Sequence, residues 1–176
     1  MTVTIRAAET TDAAALAELA AATFALACPP HTTAASIAEF LRDVLAERNF
    51  DEYLAAPDRR LLVAEDAGTL VGYTMLVFGE PTDADARSAI GIRPTVELSK
   101  CYVRADIHGA GVAAALMKAT LDAARERGAA GTWLGVNQLN ARAIRFYEKH
   151  GFGTVGTKSF LVGGVYENDF VLERAL

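Results

Sequence analysis

A chain of 176 residues, 52% hydrophobic and 22% charged, is large enough to bury a core as one domain, residues 1–176, without staples. Its formal net charge of −5 argues against nucleic acid as the main partner, because duplex binding runs on neutralising phosphates; it weakly favours a neutral or cationic substrate. Two cysteines, Cys28 and Cys101, lie far apart with no CxxC pair, which suits a reducing compartment rather than a disulfide scaffold.

In chain order, "VTIR" (3–6) alternates as a short opening strand. "TTDAAALAELAAATFALA" follows as a helix, with Thr10 or Thr11 as its cap and a stripe of Leu16, Leu19, Ala20 and Phe24. "CPPH" (28–31) breaks it; Cys28 and His31 alone supply too few ligands for zinc, so no metal is expected. A second helix is predicted from near Thr33 to about Arg48, with Ser36 and Glu39 resembling a capping box. "RRLLVAED" and "LVGYTMLVF" read as strands joined at "DAGT". Residues 79–95, the least apolar stretch, read as a long loop. "VELSKCYV" (96–103) is a strong strand, and "IHGAGVAAALM" opens the helix after it. That helix ends on Arg125, Arg127 and Gly128, where the helix dipole favours cations and a terminator. "TWLGV" is a further strand, Asn140 can cap "ARAIRFYEKH", and two tail strands span about 154–161 and 165–173.

The opening "MTVTIRAAETTD" has neither the basic start nor the apolar core of a signal peptide. No apolar run approaches the roughly 20 residues of a membrane helix. The expectation is a cytoplasmic protein with no membrane partner. The strand and helix order indicates an α/β or α+β sheet whose middle strands take the strand–helix–strand form.

The glycines of 109 and 111 carry the chemistry. Glycine lets another group approach the main chain, and the first turn of a helix offers free N–H groups and a partial positive charge. Together they seat an anion, most often a phosphate. No lysine followed by Ser or Thr comes after Gly111, which excludes a P-loop. Gly109, Gly111 and Ala114 do spell GxGxxA, but the acid that a dinucleotide site needs about 20 residues on is missing from "GAAGTWLGVNQ".

The turn resembles motif A of the GCN5-related N-acetyltransferases, [R/Q]xxGx[G/A], here His108, Gly111 and Ala113. "NARAIRFYEKHGF" (140–152) is similar to the second signature of that family, and the resemblance covers nearly the whole chain. "ELSKCYV", "WLGV" and the tail resemble the bacterial PaiA-type subgroup, whose members include polyamine N-acetyltransferases; the subgroup's Gly-Asp-Asp-rich tail is here "GGVYEND", with fewer acids.

The resemblance implies a GNAT fold: a mixed, mostly antiparallel central sheet of about seven strands flanked by about four helices. It implies acetyl-CoA as co-substrate, no metal, a small-molecule amine acceptor, and direct attack in a ternary complex. A homodimer is common in the family. Backbone groups of Cys101, Tyr102 and Val103 would pair with the pantetheine arm. Amides of Gly109, Ala110, Gly111, Val112 and Ala113 would hold the pyrophosphate. His108 replaces the usual Arg or Gln; it can donate to a phosphate, fully so only when protonated, or be a surface residue.

The alternation of "ELSKCYV" places Glu97 with Ser99, Cys101 and Val103 on one side, and Leu98, Lys100 and Tyr102 on the other. Glu97 stands where some members carry a general base, the alternative being a solvated or paired acid. Cys101 reads as a small core residue rather than a nucleophile. Tyr147 stands where many members place the acid for the departing thiolate, against a plain core aromatic. Asn140 caps its helix and is a candidate to touch the pantetheine arm. The acids Glu39, Asp43, Glu47, Asp51 and Glu52 either attract an amine or form a solvated helix face. Acceptor contacts are expected from 28–60, 79–95 and 160–168. The rival readings are an acyl-CoA-binding module without catalysis, a peptide N-terminal acetyltransferase and a dinucleotide-binding domain.

Overall fold

The computed structural model describes residues 2–176. Seven strands, β1 (Val3–Ala7), β2 (Arg59–Asp66), β3 (Thr69–Phe78), β4 (Thr95–Val103), β5 (Gly131–Asn137), β6 (Gly153–Val162) and β7 (Val165–Ala175), form one sheet in the order β1-β2-β3-β4-β5-β7-β6. Every neighbouring pair is antiparallel except β4 and β5, which run parallel.

Six α-helices flank it: α1 (Ala13–Thr23), α2 (Ala34–Val44), α3 (Glu47–Ala55), α4 (Ala84–Ala89), α5 (Val112–Glu126) and α6 (Ala141–Lys149). The mixed, mostly antiparallel seven-stranded sheet is the one expected; the helices number six rather than about four. The predicted second helix is two. It stops after Val44 because Leu45 turns into the core at 3% exposure and Ala46 is extended. α3 then starts, with the Asn49 side chain accepting from the Ala46 amide at 3.0 Å. Phe50 anchors α3, fully buried edge-on against Tyr73 at 5.7 Å between centroids. α4 lies inside the stretch read as a loop, capped by Asp83, whose carboxylate accepts from the Ala86 amide at 2.8 Å.

Two cores sit on the two faces. On one, α5 buries Val112, Leu116, Met117 and Leu121 against Leu62, Leu76, Val96, Leu98, Val103 and Leu134. Each such side chain contributes about 1.5–3 kcal/mol by leaving water. On the other, α1 and α3 cover Leu61, Val63, Tyr73 and Met75, and α4 covers Trp133 and Val171. Among the described residues, no helix is long and apolar enough to cross a membrane.

The strand pairing has one gap with consequences. β4 and β5 pair only over Thr95–Glu97 and Gly131–Trp133, and beyond Glu97 they part. A bulge in β4 accompanies the parting: Met75 faces Lys100 and Leu76 faces Leu98, so Ser99 has no partner on β3.

Candidate active site

The parting of β4 and β5 opens a cavity of about 780 Å³ that reaches both faces of the sheet. Its lining on the α5 face includes Cys101, Val103, His108, Gly109, Gly111, Ala113, Asn140, Arg142 and Tyr147. On the opposite face it includes Phe24, Cys28, Phe40, Glu97, Lys100, Tyr102, Lys158, Phe160, Glu167 and Asp169.

At one end stands the start of α5. Gly109 and Gly111 have φ of +89° and +79°, a left-handed backbone that favours glycine. A Cβ at either would meet nothing within 4 Å, so the space above the turn is open. The amides of Gly109, Gly111, Val112, Ala113 and Ala114 find no acceptor among the described residues, whereas Ala110 N–H donates to Ile107 at 3.2 Å and His108 N–H to Ala105 at 3.3 Å. Ala110 therefore differs from the expectation: its amide is spent closing the turn. The Val112 side chain is 4% exposed and belongs to the core, while its amide stays free. Five unpaired amides at the positive end of a 15-residue helix fit a pyrophosphate.

His108 is exposed, as one of its two expected readings had it, and its ring is held by two partners. Its Nε2 donates to the Val103 carbonyl at 2.8 Å, and its Nδ1 accepts from Arg142 Nη1 at 2.9 Å. Both ring nitrogens have partners within the chain, and the guanidinium of Arg142 stands beside the ring as a cation lining this end of the cavity.

Along β4, Arg104 N–H donates to Val71 at 2.9 Å, so the alternation turns the Tyr102 backbone toward β3 and those of Cys101 and Val103 into the gap. Tyr102 is thus a correction to the expected backbone contacts; its ring stacks on Tyr73 at 5.6 Å. Cys101 and Val103 present the open edge, with the Val103 carbonyl already held by His108. Burial pushes the Cys101 thiol up to about 12, far from a nucleophile's range.

The bulge at Ser99 also corrects the strand's faces. Leu98, Cys101 and Val103 point to the α5 core, whereas Glu97 shares the opposite face with Lys100 and Tyr102. Glu97 lines the cavity there, its carboxyl raised by burial and eased back by Lys100, Lys158 and Arg59. Burial lowers the Lys100 ammonium to about 8.

Tyr147 lies on α6 across the gap, wedged edge-on between Phe146 and Phe152 at 5.5 and 5.8 Å. Its hydroxyl stands beside the Cys101 thiol, and burial raises it well above the ordinary phenol value. Asn140 caps α6, accepting from the Ala143 amide at 3.1 Å, and lines the cavity from that position.

The sequence reading missed Arg142, Asp169, and the His31–Glu167 contact of 2.7 Å. The i, i+2 spacing of Glu167 and Asp169 in the tail strand was the available signal, since it puts both on one face. None of residues 79–95 lines the cavity; α4 packs on Trp133 and Val171 instead. The acids Glu39, Asp43, Glu47, Asp51 and Glu52 are all exposed, a solvated face. Among the described residues, no three or more His, Cys, Asp or Glu gather as a metal group.

Residues 20–152 match the model of the acetyltransferase (GNAT) family. The chain is 46% identical over 166 residues to an uncharacterized N-acetyltransferase of Mycobacterium tuberculosis, covering 94% of this chain and 99% of that one. It is 36% identical over 108 residues to streptothricin acetyltransferase of Streptomyces lavendulae, covering 61% of this chain and 51% of that one. In fold it is similar to the PaiA N-acetyltransferase of Thermoplasma acidophilum in complex with coenzyme A, with TM-score 0.80, 18% identity and both chains fully covered. With a cavity split between two parting strands, free amides at one mouth, and a family match over most of its length, this chain belongs to the GNAT family and is an N-acetyltransferase.

Proposed function

We propose that the protein moves the acetyl group of acetyl-CoA onto a small primary amine, both held in the one cavity, by direct attack of the amine on the thioester. The observation that carries this reading is the gap between β4 and β5, ending in five unpaired amides and leading through the sheet to the half-buried Glu97 carboxylate. When bound, acetyl-CoA supplies an activated acyl group on a thiol leaving group.

The chain's own residues then divide the work. Amides of Gly109 and of Gly111 to Ala114 hold the pyrophosphate, with Arg142 as the nearby cation. The Cys101 and Val103 backbone pairs an extended arm as an added strand would be paired. Glu97 takes the proton of the incoming ammonium, directly or through one water, which frees the nitrogen lone pair; its raised carboxyl brings it nearer the operating pH. The Tyr147 hydroxyl, kept protonated by burial, returns a proton to the sulfur as the C–S bond breaks and the C–N bond forms. Direct transfer suits an inert Cys101.

Free-thiol release from acetyl-CoA over a panel of amines tests the reading, with wild type set against Tyr147→Phe. Acceptor-dependent release that the variant loses supports it. Binding of CoA without release for any amine instead supports an acyl-CoA-binding module.

A further inference from the structure

On the face of the sheet away from α5, the cavity holds one buried carboxylate whose charged neighbour, Lys158, makes no hydrogen bond to it among the described residues. Asp169 is 5% exposed, lines the cavity, and keeps its Oδ1 buried without a hydrogen-bond partner among the described residues. Lys158 is its cross-strand neighbour and eases its charge through space without bonding to it, the ammonium donating instead to the Ser159 carbonyl at 3.4 Å and standing 5.3 Å from the centre of the Phe160 ring. A Cβ at Gly135 would lie 3.2 Å from Asp169 Oδ2 and 3.5 Å from Lys158 Cδ and Cε, so the glycine leaves room for the carboxylate and the lysine stem side by side. The other acids in the cavity have more company: Glu167 accepts from His31 at 2.7 Å, and Glu97 faces Lys100 and Arg59 besides the Lys158 that it shares with Asp169. Burial raises the Asp169 carboxyl to about 6, which leaves it ionised at neutral pH. A buried, ionised and unpaired acceptor is costly unless something outside the chain completes it.

The wall beyond Asp169 is of another character. Phe24 and Phe40 stack at 4.4 Å with planes 6° apart, and Phe160 leans on Phe40 at 5.8 Å. Leu26 and Phe160 keep 46% and 36% of their surface exposed while lining the cavity.

We infer that Asp169 receives the ammonium of the acceptor as it enters, before the nitrogen passes to Glu97 and gives up its proton, and that the acceptor is a monoamine with an apolar or aromatic body lying against Phe40 and Phe160. One unmatched carboxylate calls for one cation. A second ammonium, as in a polyamine, would meet Lys100 and Lys158, with Glu97 engaged at the reacting nitrogen and Glu167 already bonded to His31, and like charges in a partly buried site repel. An aromatic body gains what the rings of Phe40 and Phe160 lose by facing water. This inference rests on the acetyl-transfer reading above and narrows its acceptor.

The test is free-thiol release from acetyl-CoA with phenethylamine and hexylamine set against putrescine and spermidine. It is run on wild type, Asp169→Asn and Phe40→Ala, with the thermal shift produced by CoA alone recorded for each. The expected result is a kcat/KM for phenethylamine about tenfold or more above that for spermidine. Asp169→Asn raises the KM for phenethylamine about tenfold or more while its thermal shift with CoA stays that of wild type, and Phe40→Ala cuts kcat/KM for phenethylamine more than for putrescine. A preference for spermidine, or unchanged kinetics in Asp169→Asn, overturns the inference and leaves acetyl transfer standing. No thiol release with any amine overturns both readings.

Discussion

His108 joins the end of β4 to the start of α6: its Nε2 donates to the Val103 carbonyl at 2.8 Å while its Nδ1 accepts from Arg142 at 2.9 Å. The carbonyl can only accept, which puts the proton on Nε2, and the ring holds the guanidinium against it, with Arg142 Nη2 also 3.3 Å from Nε2. Hydrogen bonds to charged groups are worth about 1.5–3 kcal/mol. Arg142→Ala should therefore raise KM for acetyl-CoA by about tenfold or more with kcat nearly unchanged, and the difference from wild type should shrink as salt rises. His108→Ala should act in the same direction and more weakly, since it removes only the guide. Initial rates against acetyl-CoA at two ionic strengths check both.

Gly111→Ala tests the turn itself. With φ at +79° and nothing within 4 Å of a new Cβ, the cost is conformational rather than steric. A left-handed non-glycine residue costs about 1–2 kcal/mol, and at this chain length each kcal/mol moves Tm by about 2–4 °C. The variant should melt a few degrees lower and lose most of the stabilisation that CoA gives wild type. Differential scanning with and without CoA reads both effects.

Tyr147→Phe keeps the ring between Phe146 and Phe152, so the fold should persist. Loss of a proton donor should lower kcat on the order of 10²-fold with little change in KM. Because burial raises the phenol well above its ordinary value, Tyr147 stays protonated through the assay range and sets no alkaline fall. The acid limb belongs to Glu97. Its raised carboxyl must ionise before it can accept a proton, so kcat should climb with pH through that raised value, and Glu97→Gln should lower and flatten the limb. A kcat–pH profile for the three proteins decides.

Asp169 should cost the fold stability. Its carboxyl moves from 3.8 to about 6 through burial, with Lys158 opposing and Glu167 adding to the shift. A carboxyl raised in the folded state binds protons there more tightly than in the unfolded chain. Stability then falls as pH rises through the window between those two values, and stays reduced above it. Asp169→Asn should melt higher than wild type above about pH 6, and the difference should vanish below about pH 4, near the ordinary carboxyl value. Tm against pH for the pair, without ligand, is the check.

Much of this was legible in the residues because local rules agreed with the fold. The glycines at 109 and 111 sit where a left-handed turn needs them, Asn140 caps α6 as its position before "ARAIRFYEKH" suggests, and Gly163-Gly164 joins the tail strands. What escaped depended on tertiary facts. A bulge is invisible to strict alternation, so Glu97 was placed with Cys101 when Ser99 turns it to the face of Lys100. The split of the second helix came from Leu45 burying itself, although Phe50, Tyr53 and Leu54 already carried the i, i+3, i+4 stripe of α3. Arg142 looked like one more basic residue until His108, 34 residues away in sequence, was found against it. Asp169 became visible only once Gly135 and Lys158 surrounded it without neutralising it.

The most direct measurement is an amide NMR titration of the protein with coenzyme A. The account predicts that the backbone N–H signals of Gly109 and of Gly111 through Ala114 move most, in step with one another and with the Arg142 guanidinium, while Ala110 moves less. Saturable binding that leaves those five amides in place, and shifts residues outside the β4–β5 gap instead, would contradict it.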